Sequence, residues 1–157
     1  MSSGSVERVR AALLAAGHAD SIAAFPDGTR SAAEAAAAVG CEVAQIAKSI
    51  VFRAGGTPVL VIASGAHRVD MAKVAAATGL AVKRADGNWV RDVTGFAIGG
   101  VAPLAHLTAP VVLLDADLFR HETVWAAAGS PLHVFQSTPA ALLRISGGQR
   151  ADIKEDS

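Results

Sequence analysis

The run Ile46-Ala47-Lys48-Ser49-Ile50-Val51-Phe52 carries one ammonium inside a segment patterned as a core strand. A lone cation entering such a strand is costly unless it is paired. Lys48 therefore either snorkels to the strand's end and is solvated, or serves a ligand. Its compact charge and three donors suit a phosphate or a carbonyl oxygen on which charge develops. A second chemical feature lies about 50 positions on, at Gly99-Gly100-Val101-Ala102-Pro103. Two glycines can bring backbone amides close to a ligand because no Cβ blocks the approach, and Pro103 would fix the far end of the loop. The plain alternative is an ordinary turn ahead of the strand at 111–114.

Other chemistries find less support. His18, His67, His106, His121 and His133 are scattered and show no HExxH-type ligand spacing. Cys41 belongs to no Cys-x-x-Cys pair, so no metal site is expected, and it reads as a buried thiol at a helix end. His67 follows the apolar strand 59–64 through Gly65, and either lines a pocket mouth or is a solvated loop histidine, as is His133 beside Pro131. Asp115-Ala116-Asp117 closes an apolar strand in the manner of a metal-dependent phosphotransferase. Such a motif belongs on the first strand of a doubly wound sheet, however, and here it arrives late, so it reads as turn capping. No side chain stands out as a general base.

The elements that must position these groups can be outlined. A first helix is expected from Ser5 to Gly17, with Val6, Val9, Leu13 and Leu14 on one face. Ser21–Phe25 is extended and leads into the turn Pro26-Asp27-Gly28. Ser31 and Glu34 form a capping box for a helix ending at Gly40, and a helical turn is expected over 41–47. Strand 48–53 and strand 58–64 make a hairpin through Gly55-Gly56, the second strand apolar enough to be central. Asp70 caps a helix over 71–78, residues 81–84 suggest a short edge strand, and 88–94 a helix. Val111–Leu114 is a buried strand; 122–128 and 132–136 form a second hairpin; Thr138-Pro139 begins the last helix. Residues 149–157 are polar and expected to fray into a flexible tail. Helices alternate with strands early and hairpins dominate late, which predicts a mixed sheet with helices packed around it.

Bulk properties set the limits. The chain's 157 residues suit one domain, and with 52% hydrophobic and 18% charged residues a substantial core can be buried. Aromatic residues amount to 4%, with no tyrosine, which argues against stacking on a nucleobase platform. The 14 basic and 14 acidic residues cancel, which argues against a general nucleic-acid coat, including DNA binding, and leaves room for a local basic patch. One cysteine fits a reducing compartment. The start Met1–Arg10 is polar, so no secretory leader is expected. The uncharged stretch 93–114 is broken by glycines and prolines, so no membrane span is expected. A soluble, cytoplasmic protein is anticipated.

Two segments carry a family resemblance: Gln45-Ile-Ala-Lys48-Ser-Ile-Val-Phe52, followed by the strand 59–64 and Gly65, and Thr94-Gly-Phe-Ala-Ile-Gly99-Gly-Val-Ala-Pro103. Neither is specific alone, but both at this separation are. Asp70 before a helix, Asp115 after a strand, Gly129 in a late turn and a leucine-bearing final helix keep the same order. From about Val6 to Gly148 the chain resembles the YbaK-like family, the editing domains related to the insertion domain of bacterial prolyl-tRNA synthetase. One departure is Ala105, where many relatives have glycine; if that position needs positive φ, alanine is strained there.

The resemblance implies a largely antiparallel, partly barrel-like sheet within an α/β (α+β) fold, and a single editing domain over 1–157. It implies an aminoacyl-tRNA hydrolase that needs no cofactor and acts on a mischarged tRNA 3′ end. Lys48 would be critical for activity; Gly99, Gly100, Val101, Ala102 and Pro103, with Gly65 and His67 nearby, would be substrate-binding candidates. The substrate itself, through the terminal ribose hydroxyl, would help position the attacking water. Prolyl-tRNA would be spared, a small residue such as alanine, cysteine or serine removed, and prolyl-tRNA synthetase would be a candidate partner. A non-catalytic tRNA- or synthetase-binding module is the alternative, for which Ala105 speaks; a small-molecule hydrolase is a third.

Overall fold

The computed structural model describes residues 2–29 and 31–156. Its elements run α1 (Ser2–Ala15), β1 (Ala23–Ala24), α2 (Ala32–Val39), β2 (Ile46–Ala54), β3 (Thr57–Ser64), α3 (Met71–Thr78), β4 (Lys83–Arg84), α4 (Gly87–Thr94), β5 (Val111–Asp115), β6 (Val124–Ala127), β7 (His133–Ser137), α5 (Pro139–Ser146) and β8 (Gln149–Ala151). Local chemistry sets most boundaries. Ser31 accepts from the Glu34 amide, Asp70 from the amides of Ala72 and Lys73, Asp86 from Trp89 and Thr138 from Ala141, each satisfying a donor that a helix start leaves open. Helix α1 begins at Ser2 rather than at Ser5, whose hydroxyl instead donates to the Gly129 carbonyl at 2.6 Å, fastening α1 to the turn between β6 and β7.

The strands form one sheet in the order β1-β7-β6-β2-β3-β5-β8, with β4 paired to β2 off this path. Pairings β1·β7, β2·β3, β2·β4 and β6·β7 are antiparallel, whereas β2·β6, β3·β5 and β5·β8 are parallel. The expected mixed sheet surrounded by helices is therefore what forms. Strand β3 is covered on both faces, which explains its continuous apolar run. Leu60 and Ile62 join α1, α4 and α5 residues Val9, Leu13, Val90 and Leu142 in the main core, while Val59, Val61 and Ala63 face α3 through Val74.

Residues 149–156 of the segment expected to fray are tied down. Strand β8 pairs with β5, Val69 bridges Lys154, and Ile153 is fully buried in the second core. The Ile153 carbonyl accepts from the Asp70 amide at 2.7 Å, and the Glu155 amide donates to the Arg68 carbonyl at 2.8 Å. An open edge on β5 and one apolar side chain with a hole to fill outweigh the polar composition of the segment.

Ala105 adopts φ 67°, alone among the described non-glycine residues. Its carbonyl accepts from Arg8 Nε at 2.9 Å, and Arg8 also reaches the Thr94 carbonyl and lies over the Phe96 ring. The chain thus keeps a left-handed turn there without glycine, and Ala105 carries the strain expected of an alanine at positive φ. Ala105→Gly should leave stability within about 1 kcal/mol, because relief of the left-handed cost offsets lost packing and added chain entropy. Ala105→Val should cost about 2 kcal/mol or more, since a branched Cβ fits that conformation worst. Urea unfolding of the two variants checks both values.

Candidate functional site

Lys48 leaves β2 half-buried, and its ammonium donates to the backbone carbonyl of His67 at 2.6 Å. Burial first, and the nearby positive charge of Arg68 second, push the amine below the ordinary lysine range, with Asp115 pulling the other way. The cation that the sequence makes costly is therefore met by a carbonyl dipole and one more distant carboxylate.

What holds that carbonyl is a polar network the sequence did not announce. His67 Nδ1 lies 2.8 Å from Asp115 Oδ2, and Nε2 lies 3.4 Å from Asp117 Oδ2. Asp115, 1% exposed, also accepts from the Ser64 amide at 3.0 Å and from the Asp117 amide at 2.9 Å. It does cap a turn, as its motif suggested, but it also ties β5 to β3 and to the loop bearing His67. Asp117 accepts from Lys154 Nζ at 2.7 Å, and this bond above all holds its carboxyl below the usual carboxylate range. His67, Asp115 and Asp117 bring ligand atoms within 4.8 Å of one another. Lys154 already supplies the balancing charge there, and the Asp115 oxygens are engaged by amides and the imidazole, so the cluster reads as an ion network. His67 is thus not a freely solvated loop residue but one held by two carboxylates.

Two cavities adjoin Lys48. The wider, about 1010 Å³, is bounded by residues 48–52 of β2 together with Arg68, Met71, Arg84 and Ile98; the narrower, about 70 Å³, by Thr29, Ala35, Ile46, Trp125, Ala126 and Val134. Lys48, Ser49, Gly99 and Val101 stand on the walls of both. The lysine and the glycine loop therefore meet. They meet because the sheet has a gap: β6 pairs with β2 only at Ile46 and Ala47, and β4 only at Phe52 and Arg53, leaving 48–51 unpaired on that side.

Gly100, Ala102 and Pro103 are not on these walls. Gly100 donates its amide to the Ala97 carbonyl at 3.0 Å, and a Cβ there would lie 2.6 Å from Ser130 Cα, so its glycine serves a backbone crossing. Ala102 is fully buried in the main core, and Pro103 is buried too. Gly65 is likewise a packing requirement, since a Cβ would lie 2.5 Å from the Val43 carbonyl oxygen. Ser49, Arg68 and Arg84 were not singled out beforehand; a hydroxyl beside Lys48 in an otherwise apolar strand was the one available signal. Burial and the neighbouring Glu42 raise the Cys41 thiol, which donates to the Glu42 carbonyl, an arrangement unsuited to a nucleophile.

Asp115→Ala should destabilise the protein by about 3 kcal/mol, because it strands a buried amide and the imidazole. Asp115→Asn, which keeps an acceptor, should cost less; chemical denaturation compares them. Equal stability of the alanine variant and the parent would show that the network holds nothing.

The chain matches the family model of the aminoacyl-tRNA editing domain over residues 26–145. It is 34% identical over 123 residues to the uncharacterized protein YwhH of Bacillus subtilis (strain 168), spanning 78% of each chain. Among solved structures it resembles one described as "a putative trans-editing enzyme for prolyl tRNA synthetase", at TM-score 0.91 and 43% identity over 97% of this chain and 98% of that one. It also resembles the hypothetical protein APE2540, at TM-score 0.87 and 26% identity over 94% of this chain and 99% of that one. No helix among the described residues is long and apolar enough to cross a membrane. With the family model covering the segment that carries both β2 and the glycine loop, the chain belongs to the aminoacyl-tRNA editing domain family.

Proposed function

We propose that this chain is a free-standing deacylase that hydrolyses the ester joining a small, wrongly attached amino acid to a tRNA 3′ end, with tRNA(Pro) as the substrate tRNA. One observation carries the reading: a wide and a narrow cavity share Lys48, Gly99 and Val101 at their junction. An aminoacyl-adenosine terminus has the same division, a large nucleoside and a small side chain on either side of an ester. The ammonium at the junction stabilises the charge that develops on the carbonyl oxygen. Water adds to that carbonyl carbon, the bond to the ribose oxygen breaks, and the ribose oxygen takes up a proton, releasing free amino acid and tRNA.

The narrow cavity's roughly 70 Å³ compares with the ~10–15 Å³ a single water needs. It has room for a side chain of a few atoms. A second pocket that tests the side chain again is what a synthetase needs, because one methylene discriminates by only about 1–3 kcal/mol. His67 is no general base here, since both ring nitrogens face carboxylates. The terminal ribose hydroxyl orients the water instead, and binding geometry supplies much of the acceleration. Arg68 and Arg84 on the wider wall are placed for the phosphates of the tRNA end, a local contact compatible with zero net charge. Such a protein would work beside prolyl-tRNA synthetase in the cytoplasm.

The test is deacylation of tRNA(Pro) carrying alanine, cysteine, serine or proline. The mischarged forms should be hydrolysed and prolyl-tRNA spared, and Lys48→Ala should lose at least about 100-fold in kcat/KM, the scale on which removing one preorganised donor acts. Full activity in Lys48→Ala would overturn the role given to the lysine. Because burial and Arg68 disfavour the charged amine, rising pH should neutralise it early. After subtraction of spontaneous hydrolysis, kcat/KM should decline below the ordinary lysine pKa of about 10.4. Lys48→Arg, whatever its absolute rate, should show no such decline.

A further inference from the structure

We propose that Ser49 determines which small amino acid this site removes: its hydroxyl pairs with a hydroxyl on the substrate side chain, so that serine is cleaved in preference to alanine. The proposal rests on the deacylase reading above and adds the substrate to it.

Ser49 Oγ is buried and has no hydrogen-bond partner among the described residues. The other such atom, His106 Nδ1, belongs to a ring packed edge-on against Phe96, whereas Ser49 stands on the walls of both cavities. Alternation along β2 puts its side chain on the same face as Ala47, which lines the narrow cavity, and Val51, which lines the wide one. The narrow cavity's other hydroxyls each already have a hydrogen-bond partner. Thr29 Oγ1 donates to the Pro131 carbonyl at 2.9 Å, and Ser31 Oγ accepts from the Glu34 amide at 3.0 Å. Ser49 is thus the hydroxyl on that wall without a partner among the described residues.

Its main chain points the same way. The Gly65 amide donates to the Ile46 carbonyl, which makes residues 46 and 65 a hydrogen-bonded pair of the antiparallel ladder. Pairing alternates, so the N–H and C=O of Ser49 face away from β3 into the gap between β6 and β4. Ser49 thereby offers a hydroxyl, an amide and a carbonyl at the cavity junction, where the substrate's polar atoms arrive. A buried hydroxyl without a partner is costly, and a ligand hydroxyl removes that cost where a methyl group does not. A site built around such a pairing rejects the analogue lacking the hydroxyl far better than an apolar pocket rejects one that is merely smaller.

The experiment measures kcat/KM for seryl- and alanyl-tRNA(Pro) with the wild-type chain and Ser49→Ala, with matched thermal unfolding to show that the variant folds. The wild type should favour the seryl substrate, and the seryl-to-alanyl ratio should fall about 10- to 100-fold in Ser49→Ala. An unchanged ratio would overturn the proposal, as expected if a water held by Ser49 contacts both substrates alike. So would a wild type that favours the alanyl substrate, although the deacylase reading would then stand. A wild type that cleaves neither ester overturns the proposal, and the deacylase reading falls with it if cysteinyl-tRNA(Pro) is spared as well.

Discussion

The bond from the Lys48 ammonium to the His67 carbonyl decides where this molecule can hold a positive charge. A lysine on a core strand has a long, flexible stem, and without a fixed acceptor it would extend to solvent. Here the acceptor is a main-chain oxygen whose loop is fastened by Asp115, which lies at the end of β5 and takes hydrogen bonds from β3, from that loop and from its own turn. The charge is thus positioned by the sheet itself, through one buried carboxylate, and not by a neighbour on the same strand.

The same sheet makes the room beside that charge. Strand β2 is a full partner of β3 along its length, but on its other side β6 and β4 each take only two residues. The interval between them leaves backbone groups and alternate side chains of one strand facing a cavity, while its two ends stay anchored. Groups presented this way are fixed by the ladder on one side and by the paired ends on the other. The loop at 99–103 closes the interval, with Gly99 and Val101 turned to the cavity and Ala102 and Pro103 packed inward.

Local signals in the sequence were strong wherever one residue sufficed. Ser31, Asp70 and Thr138 each cap the helix they were expected to cap, and the hairpin through Gly55-Gly56 and the central character of 57–64 follow from turn chemistry and hydrophobicity alone. Family resemblance then brought Lys48 and Gly99 forward together. What stayed hidden depended on partners far along the chain. Asp115 looked like a turn cap and is one, yet its bonds to Ser64 and His67 span 51 and 48 positions. Gly65 and Gly100 looked like ligand-facing glycines and are crossings of backbone against backbone. The polar end looked loose until Ile153 met its cavity and β8 met the edge of β5.

The sequence by itself determined most of the elements, their caps and the mixed character of the sheet, because each of these is a property of neighbours within a few residues. Only the tertiary structure decided that Ile153 is core, that Ser49 is left without a partner, and that the lysine is held by a carbonyl, since those depend on which strand edges remain open after the sheet assembles. Strand order is not encoded in any one strand. It emerges from the joint burial of both sheet faces, and the gap at 48–51 is a consequence of that assembly.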